Sequence, residues 1–300
     1  MIYHFHPIDR PMIWGAEEWI ISAVPGRDSV CVETGQNIFE MLCAEKERLV
    51  GKHVFARYGD TFPLLIKFID ARADLSIQVH PSDAIAQNDG LPFGKTEMWY
   101  VIPSEKDARL YCGLKKQLTP DEYKQMVTDK TIINALAEYN VQAGDCFFIP
   151  AGRIHSICSG CRICEIQQTS DTTYRIYDYD RVDKDGKPRE LHTEKAAASI
   201  DFTVHDDYRV RYTPRMNEPA NLITCPYFTT NVLLIDRPVV RDYTSLDSFV
   251  CLICIEGEGT ITDADGQQPF RQGELVLLPA SNSEPITLNG AFRALEVYIE

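Results

Sequence analysis

Short runs in which apolar and polar residues alternate, divided by Gly, Pro, Asn and Asp, recur along the chain. That is the pattern of strands in a β-rich fold. Its most informative case is Leu75-Ser-Ile-Gln-Val-His80-Pro81. Successive strand side chains point to opposite faces. The run therefore predicts Ser76, Gln78 and His80 on one face, with Leu75, Ile77 and Val79 packed behind. A second strand is predicted over Lys95-Thr-Glu97-Met-Trp-Tyr-Val-Ile102, placing Lys95, Glu97 and Trp99 together. Pro63 to Ala71 is an apolar run broken by Lys67, which sits between Ile66 and Phe68 and is expected to point into a cavity.

The remaining elements fit around these. Pro25-Gly26-Arg-Asp28-Ser29 reads as a hairpin turn and 182–188 as an exposed one. Helical turns are expected over 37–44 and 45–52, and a short helix over 194–199. Between about 118 and 139 the character changes. Thr119-Pro120-Asp121-Glu122 supplies an N-cap, a proline at the first helical position and acidic residues in the first turn. Ile132, Ile133, Leu136 and Ala137 point to a second helix there. From about 206 new strands begin, over 232–235, 249–255, 259–262, 274–278, 286–288 and 294–298, evenly divided by turn residues. The expected architecture is mainly β. Residues 1–205 form one barrel with the helical excursion, and 206–300 form a second.

Composition narrows the function classes. The formal charge of −14 argues against a general affinity for nucleic acid, whose phosphates require Lys and Arg, while leaving an anionic small ligand open. No secretion signal and no apolar run of membrane-spanning length is legible. Ten cysteines in such a chain read as free thiols of a reducing compartment. The expectation is a cytoplasmic protein without membrane or nucleic-acid partners. The sequence is silent on oligomeric state.

A polar strand face needs buried partners, because burying such groups unpaired costs several kcal/mol. Gln78, His80, Glu97 and His155 together offer two imidazoles, a carboxylate and an amide oxygen. This set suits zinc, manganese or iron acting as a Lewis acid better than a structural thiolate cage does. Taken singly, each reads as a satisfied core residue; jointly, on alternating strands, they read as a metal site. Two weaker clusters read as structural. His4 and His6 lie beside Pro7, Asp9 and Pro11, which favour a loop. Cys158, Cys161 and Cys164 have metal-like spacing but lack a fourth ligand, and Ser159-Gly160 reads as a hairpin turn placing Cys158 and Cys164 on paired strands.

Gly144-x5-Pro150-x-Gly152-x2-His155 matches the second sequence motif of cupins, small jelly-roll barrels that hold a metal. The frame returns at Gly273-x5-Pro279, where Ser281 replaces the glycine and Glu284 the histidine. No histidine follows His205, so the second cupin-like barrel is expected to be metal-free. More specifically, the chain resembles type I mannose-6-phosphate isomerases (phosphomannose isomerases) of the shorter bacterial form. The resemblance rests on Trp14-Gly, Glu18-Trp-Ile-Ile-Ser22, Pro63-Leu-Leu-Ile-Lys67, Ser76-Ile-Gln-Val-His80-Pro, Lys95-Thr-Glu97-Met-Trp, Pro150-Ala-Gly-Arg-Ile-His155 and Ser170-Asp171-x3-Arg175.

That resemblance implies one zinc ion per chain on Gln78, His80, Glu97 and His155, and interconversion of mannose 6-phosphate and fructose 6-phosphate. It places the active-site arginine at Arg175, with Asp171 and Glu165 at acidic positions and Lys67, Ser76 and Lys95 lining the sugar-phosphate pocket. Lys67 and Ser76 are the expected phosphate-binding pair. Lys95, Glu165, a water or a histidine remain alternatives for the base. Ile176-Tyr-Asp178 replaces the Ala-Gly that follows the arginine in long members. Competing readings are a cupin acting on another sugar phosphate, an iron oxygenase, or a non-catalytic sugar-phosphate binder.

Overall fold

The structure, a computed structural model, describes residues 2–182 and 185–300. Asp183 and Lys184 of the expected 182–188 turn thus lie outside the described residues. The fold is mainly β, and the chain forms two compact units that are not simple sequence blocks. One comprises Met1–Ile8, Trp19–Leu65 and Arg211–Glu300; the other comprises Asp9–Glu18 and Ile66–Val210. The expected boundary at 205/206 lies near the crossing at Val210/Arg211, whereas residues 19–65 cluster with the C-terminal strands. No helix among the described residues is long and apolar enough to cross a membrane.

The unit containing 66–210 carries the predicted polar strands. A five-stranded sheet runs in the order Leu136–Asn140, Arg109–Leu114, His155–Ile157, Ile77–Val79, Tyr174–Tyr177. A six-stranded sheet runs Cys146–Ile149, Glu97–Val101, Arg162–Gln168, Leu64–Ala71, Gly15–Ile21, Ile8–Met12. The two sheets share one core. Trp99, Val101, Phe147, Ile149 and Ile163 of the larger meet Leu110, Cys112 and Ile157 of the smaller. Both orders are linear, so these are open sheets packed face to face rather than hydrogen-bonded closed barrels.

Ile77 and Val79 face away from that core, as the alternation predicts. They pack under the Pro120–Thr128 and Thr193–Ser199 helices, with Tyr123, Val127 and Ala196. Leu75 departs from the expectation. It precedes the Ile77–Val79 strand and packs into the core between the sheets, its N–H bonded to Ile157 O.

Three further expectations are corrected. The second helix of the excursion is only a 3-10 turn over Ile132–Ala135, followed by strand Leu136–Asn140 paired with Arg109–Leu114. Cys158 and Cys164 are not on paired strands. His155–Ile157 belongs to the five-stranded sheet and Arg162–Gln168 to the six-stranded one, and the Ser159-Gly160 turn carries the chain between sheets. Among the described residues, the other compact unit has an antiparallel sheet of eight strands and a two-stranded hairpin, Ala23–Val24 with Arg27–Asp28. Its longest members, Val250–Asp263 and Ile286–Tyr298, run continuously where the sequence predicts four short strands. Gly259 and Gly290 face each other in that pair, and a Cβ on Gly290 would lie 2.5 Å from the Gly259 Cα. These glycines permit close backbone approach inside a strand; they do not end it.

Candidate active site

The site grows from three neighbouring strands of the five-stranded sheet. Gln78 is paired with His155 on one side and Arg175 on the other, so the three side chains share a face. Facing them, the six-stranded sheet contributes Glu97, with Glu165 paired opposite Trp99 on the next strand. Gly152 fixes the approach to His155. Its φ is +90°, its N–H bonds His80 O at 2.9 Å, and a Cβ there would lie 2.8 Å from Ser199 O. Only glycine is comfortable in that position.

Among the described residues, His80, Glu97 and His155 form a buried group whose potential ligand atoms lie within 4.8 Å of one another. Glu97 Oε2 is 3.4 Å from His80 Nε2, and Oε1 is 3.5 Å from His155 Nε2. The outer ring nitrogens settle the tautomers. His80 Nδ1 lies 2.9 Å from Thr172 O and His155 Nδ1 lies 2.8 Å from Arg153 O. A carbonyl can only accept, so each Nδ1 carries the hydrogen and each Nε2 turns a lone pair toward Glu97. Gln78 reaches the same place, its amide 3.4 Å from His155 Nε2, and Ser76 Oγ donates to its Oε1 at 3.4 Å. His80, Glu97 and His155 therefore converge, and the Gln78 side chain lies against them with its amide nitrogen, its oxygen being turned to Ser76.

Two lysines and two further carboxylates surround this group. Lys95 Nζ is 3.0 Å from Glu97 Oε2, 3.1 Å from His80 Nε2 and 3.8 Å from Glu165 Oε1. Lys67 Nζ is 2.9 Å from Glu165 Oε1 and 3.5 Å from Glu17 Oε1. Trp99 Nε1–H donates to Glu165 Oε2 at 2.8 Å. Glu17 and the Trp99 contact escaped the sequence reading. Strand alternation shows which face a residue occupies, but not which residue of another strand it meets.

The electrostatics follow from burial and this pairing. Burial, reinforced by Lys95, pushes the His80 imidazole down to about 3, and burial lowers His155 too. Both rings are neutral at neutral pH, as metal ligation requires. Burial alone would raise the Glu97 carboxyl, but the Lys95 ammonium outweighs it and holds Glu97 well below its usual range. Glu165 goes the other way, raised by burial and by the charge of Glu97. For Lys67 the penalty of burial is overcome by Glu165 and Glu17, and its pKa is raised.

The residues present fit a divalent cation. Two lone-pair nitrogens and an ionised carboxylate converge. Glu97 Oε2 is buried without a properly angled hydrogen bond, beside the Lys95 ammonium and the lone pair of His80 Nε2. A buried anionic oxygen so placed is satisfied by a positive ion.

The other expected residues are placed differently. Arg175 is half-buried, donates from Nη1 to Glu190 O at 2.9 Å, and its Nε is buried without a hydrogen-bond partner. Asp171 is exposed, on the loop before the Tyr174–Tyr177 strand. Cys158, Cys161 and Cys164 are buried, and burial pushes the first two thiols up to about 12. They are small apolar core groups rather than thiolate ligands. His4 pairs with Glu33 at 2.6 Å. Glu284, which stands where the second motif would have its histidine, is exposed.

The chain is similar to known proteins over most of its length. Residues 6–140 match the family described as phosphomannose isomerase type I, catalytic domain, and residues 219–299 match mannose-6-phosphate isomerase, cupin domain. The chain is 36% identical to mannose-6-phosphate isomerase ManA of Bacillus subtilis, over 76% of this chain and 73% of that protein. It is 34% identical to the mannose-6-phosphate isomerase of Streptococcus mutans, over 90% and 84%. The crystal structure of the Bacillus subtilis mannose 6-phosphate isomerase superposes with a TM-score of 0.89 at 29% identity, covering 99% of each chain.

Proposed function

The chain belongs to the type I phosphomannose isomerase family, and from that premise we propose that it interconverts mannose 6-phosphate and fructose 6-phosphate with one zinc ion held by Gln78, His80, Glu97 and His155. It is an isomerase, and the observation that carries the reading of its site is the convergence of two imidazole lone pairs on a buried carboxylate. Zinc is preferred among divalent ions because nitrogen and carboxylate donors with a remaining open position are its catalytic set. When bound, the ion supplies Lewis-acid polarisation of the sugar carbonyl.

The side chains do the rest. Isomerisation removes a proton from the carbon beside a carbonyl and returns it one carbon away. Such a proton carrier works best with a pKa moved toward neutrality. Glu165, raised by burial and by Glu97, meets that requirement, and Lys95 at 3.8 Å is its partner in exchange. We assign proton transfer to this pair. Lys67, expected at the phosphate, is engaged by two buried carboxylates, and Ser76 orients Gln78. The phosphoryl group is therefore given to Arg175, whose planar guanidinium stays charged and has an uncommitted N–H. Asp171, exposed on its loop, is given no part in proton transfer.

The face-to-face sheets of the 66–210 unit are read as a jelly roll, and the eight-stranded unit as a metal-free cupin relative. A reducing, cytoplasmic setting is kept as the reading of ten cysteines in this sequence. A coupled assay tests the function. Conversion of mannose 6-phosphate should disappear on chelation and return with zinc, and absence of conversion by the zinc-loaded chain would refute it.

A further inference from the structure

Glu17, on strand Gly15–Ile21, brings to the site a carboxylate that the sequence motifs passed over. We propose that Glu17 is a positioning residue for the isomerisation: it anchors Lys67 where Lys67 can orient Glu165. The inference rests on the reading of Glu165 as a proton carrier.

The geometry forms a chain of buried charges. Glu17, Lys67 and Glu165 are 9%, 6% and 3% exposed. Lys67 Nζ lies between the carboxylates, 2.9 Å from Glu165 and 3.5 Å from Glu17. Glu165 divides its oxygens. Oε2 takes the Trp99 N–H, while Oε1 faces Lys67 and Lys95 and has no well-angled hydrogen bond of its own. Oε1 is thus the oxygen held ready to exchange a proton, and Lys67 sets its direction.

A lysine is a point charge on a flexible stem with many rotamers, so one carboxylate fixes it poorly. Two carboxylates fix it better. Without the charge of Glu17, Lys67 keeps Glu165 but loses this second carboxylate, and the direction it gives Oε1 is no longer fixed. Glu17 is absent from the ligand group, so zinc binding is spared. It therefore acts on turnover, not on binding of the ion.

The test uses the zinc-loaded full chain. In Glu17→Gln, kcat should fall about tenfold or more while KM stays within about twofold and one zinc per chain is retained. Glu17→Asp keeps the charge at shorter reach and should recover part of the loss. In a double-mutant cycle, Glu17→Gln added to Lys67→Met should slow the enzyme no further than Lys67→Met alone. A purely structural role would lower Tm and leave kcat per folded molecule unchanged. Unchanged kcat in zinc-loaded Glu17→Gln, or losses that multiply in the cycle, would overturn the inference. Should Glu17→Gln fail to fold, Glu17→Asp in the same cycle decides by the same criterion. A zinc-loaded parent chain that does not isomerise overturns the functional reading itself; an active parent with an unaffected Glu17→Gln overturns only the positioning role.

Discussion

Two backbone carbonyls, Thr172 O and Arg153 O, decide what the site histidines can do, because they hold each Nδ1 hydrogen and leave Nε2 as a donor of electrons. Removing one such ligand, His155→Ala, should weaken zinc binding by about a hundredfold or more and abolish turnover. Metal analysis of the dialysed variant checks this, and full occupancy with normal turnover would contradict it. The same burial gives a pH dependence. An exposed histidine takes a proton near pH 6.5, whereas His80 resists until about 3. Between these values the unfolded chain binds more protons than the folded one, so the stability of the chelated protein is lost as pH falls through that window. Its Tm should drop there, and His80→Gln should lessen the drop. The grouping of His80, Glu97 and His155 was legible because alternation sorts a strand into faces. The Glu17–Lys67–Glu165–Trp99 connections were not, since they join residues on separate strands whose registry no local pattern encodes.

Element by element, the sequence succeeded where local chemistry is decisive. The Pro120–Thr128 helix starts as Thr119-Pro-Asp-Glu predicts, with a reciprocal capping box between Thr119 and Glu122. The Ile38–Glu45 helix has the same device in Asn37 and Glu40. Asn37→Ala should therefore cost about 1 kcal/mol, read from denaturant unfolding, and leave turnover unchanged. Failures came where one pattern serves two structures. The apolar residues at 132, 133, 136 and 137 fit a helix, yet Leu136 pairs with Leu114 in a ladder; so short a run is ambiguous by periodicity. Glycines in the C-terminal strands looked like turns but serve close backbone contact.

At the scale of the whole molecule, the candidate site belongs to one of two compact units. The expected ligands and the charges around them lie within the 66–210 unit and its Asp9–Glu18 segment. The other unit buries a carboxylate for a different purpose. Glu296 is fully buried and receives Arg241, Tyr243 and Asn231, a satisfied network on the Ile286–Tyr298 strand. Breaking a buried pair strands a charge, so Arg241→Met should destabilise the chain by about 3 kcal/mol. Zinc content per folded molecule should not change, which metal analysis after refolding checks. Arg175→Ala, by contrast, should leave both stability and zinc intact while raising KM for the sugar phosphate about a hundredfold; steady-state kinetics with unchanged KM would remove Arg175 from phosphate binding. The most direct test of the central claim is titration of the metal-free chain with zinc while mannose 6-phosphate turnover is followed. Activity should rise in proportion to bound zinc and stop at one ion per chain; full turnover without metal, or saturation at another stoichiometry, would contradict it.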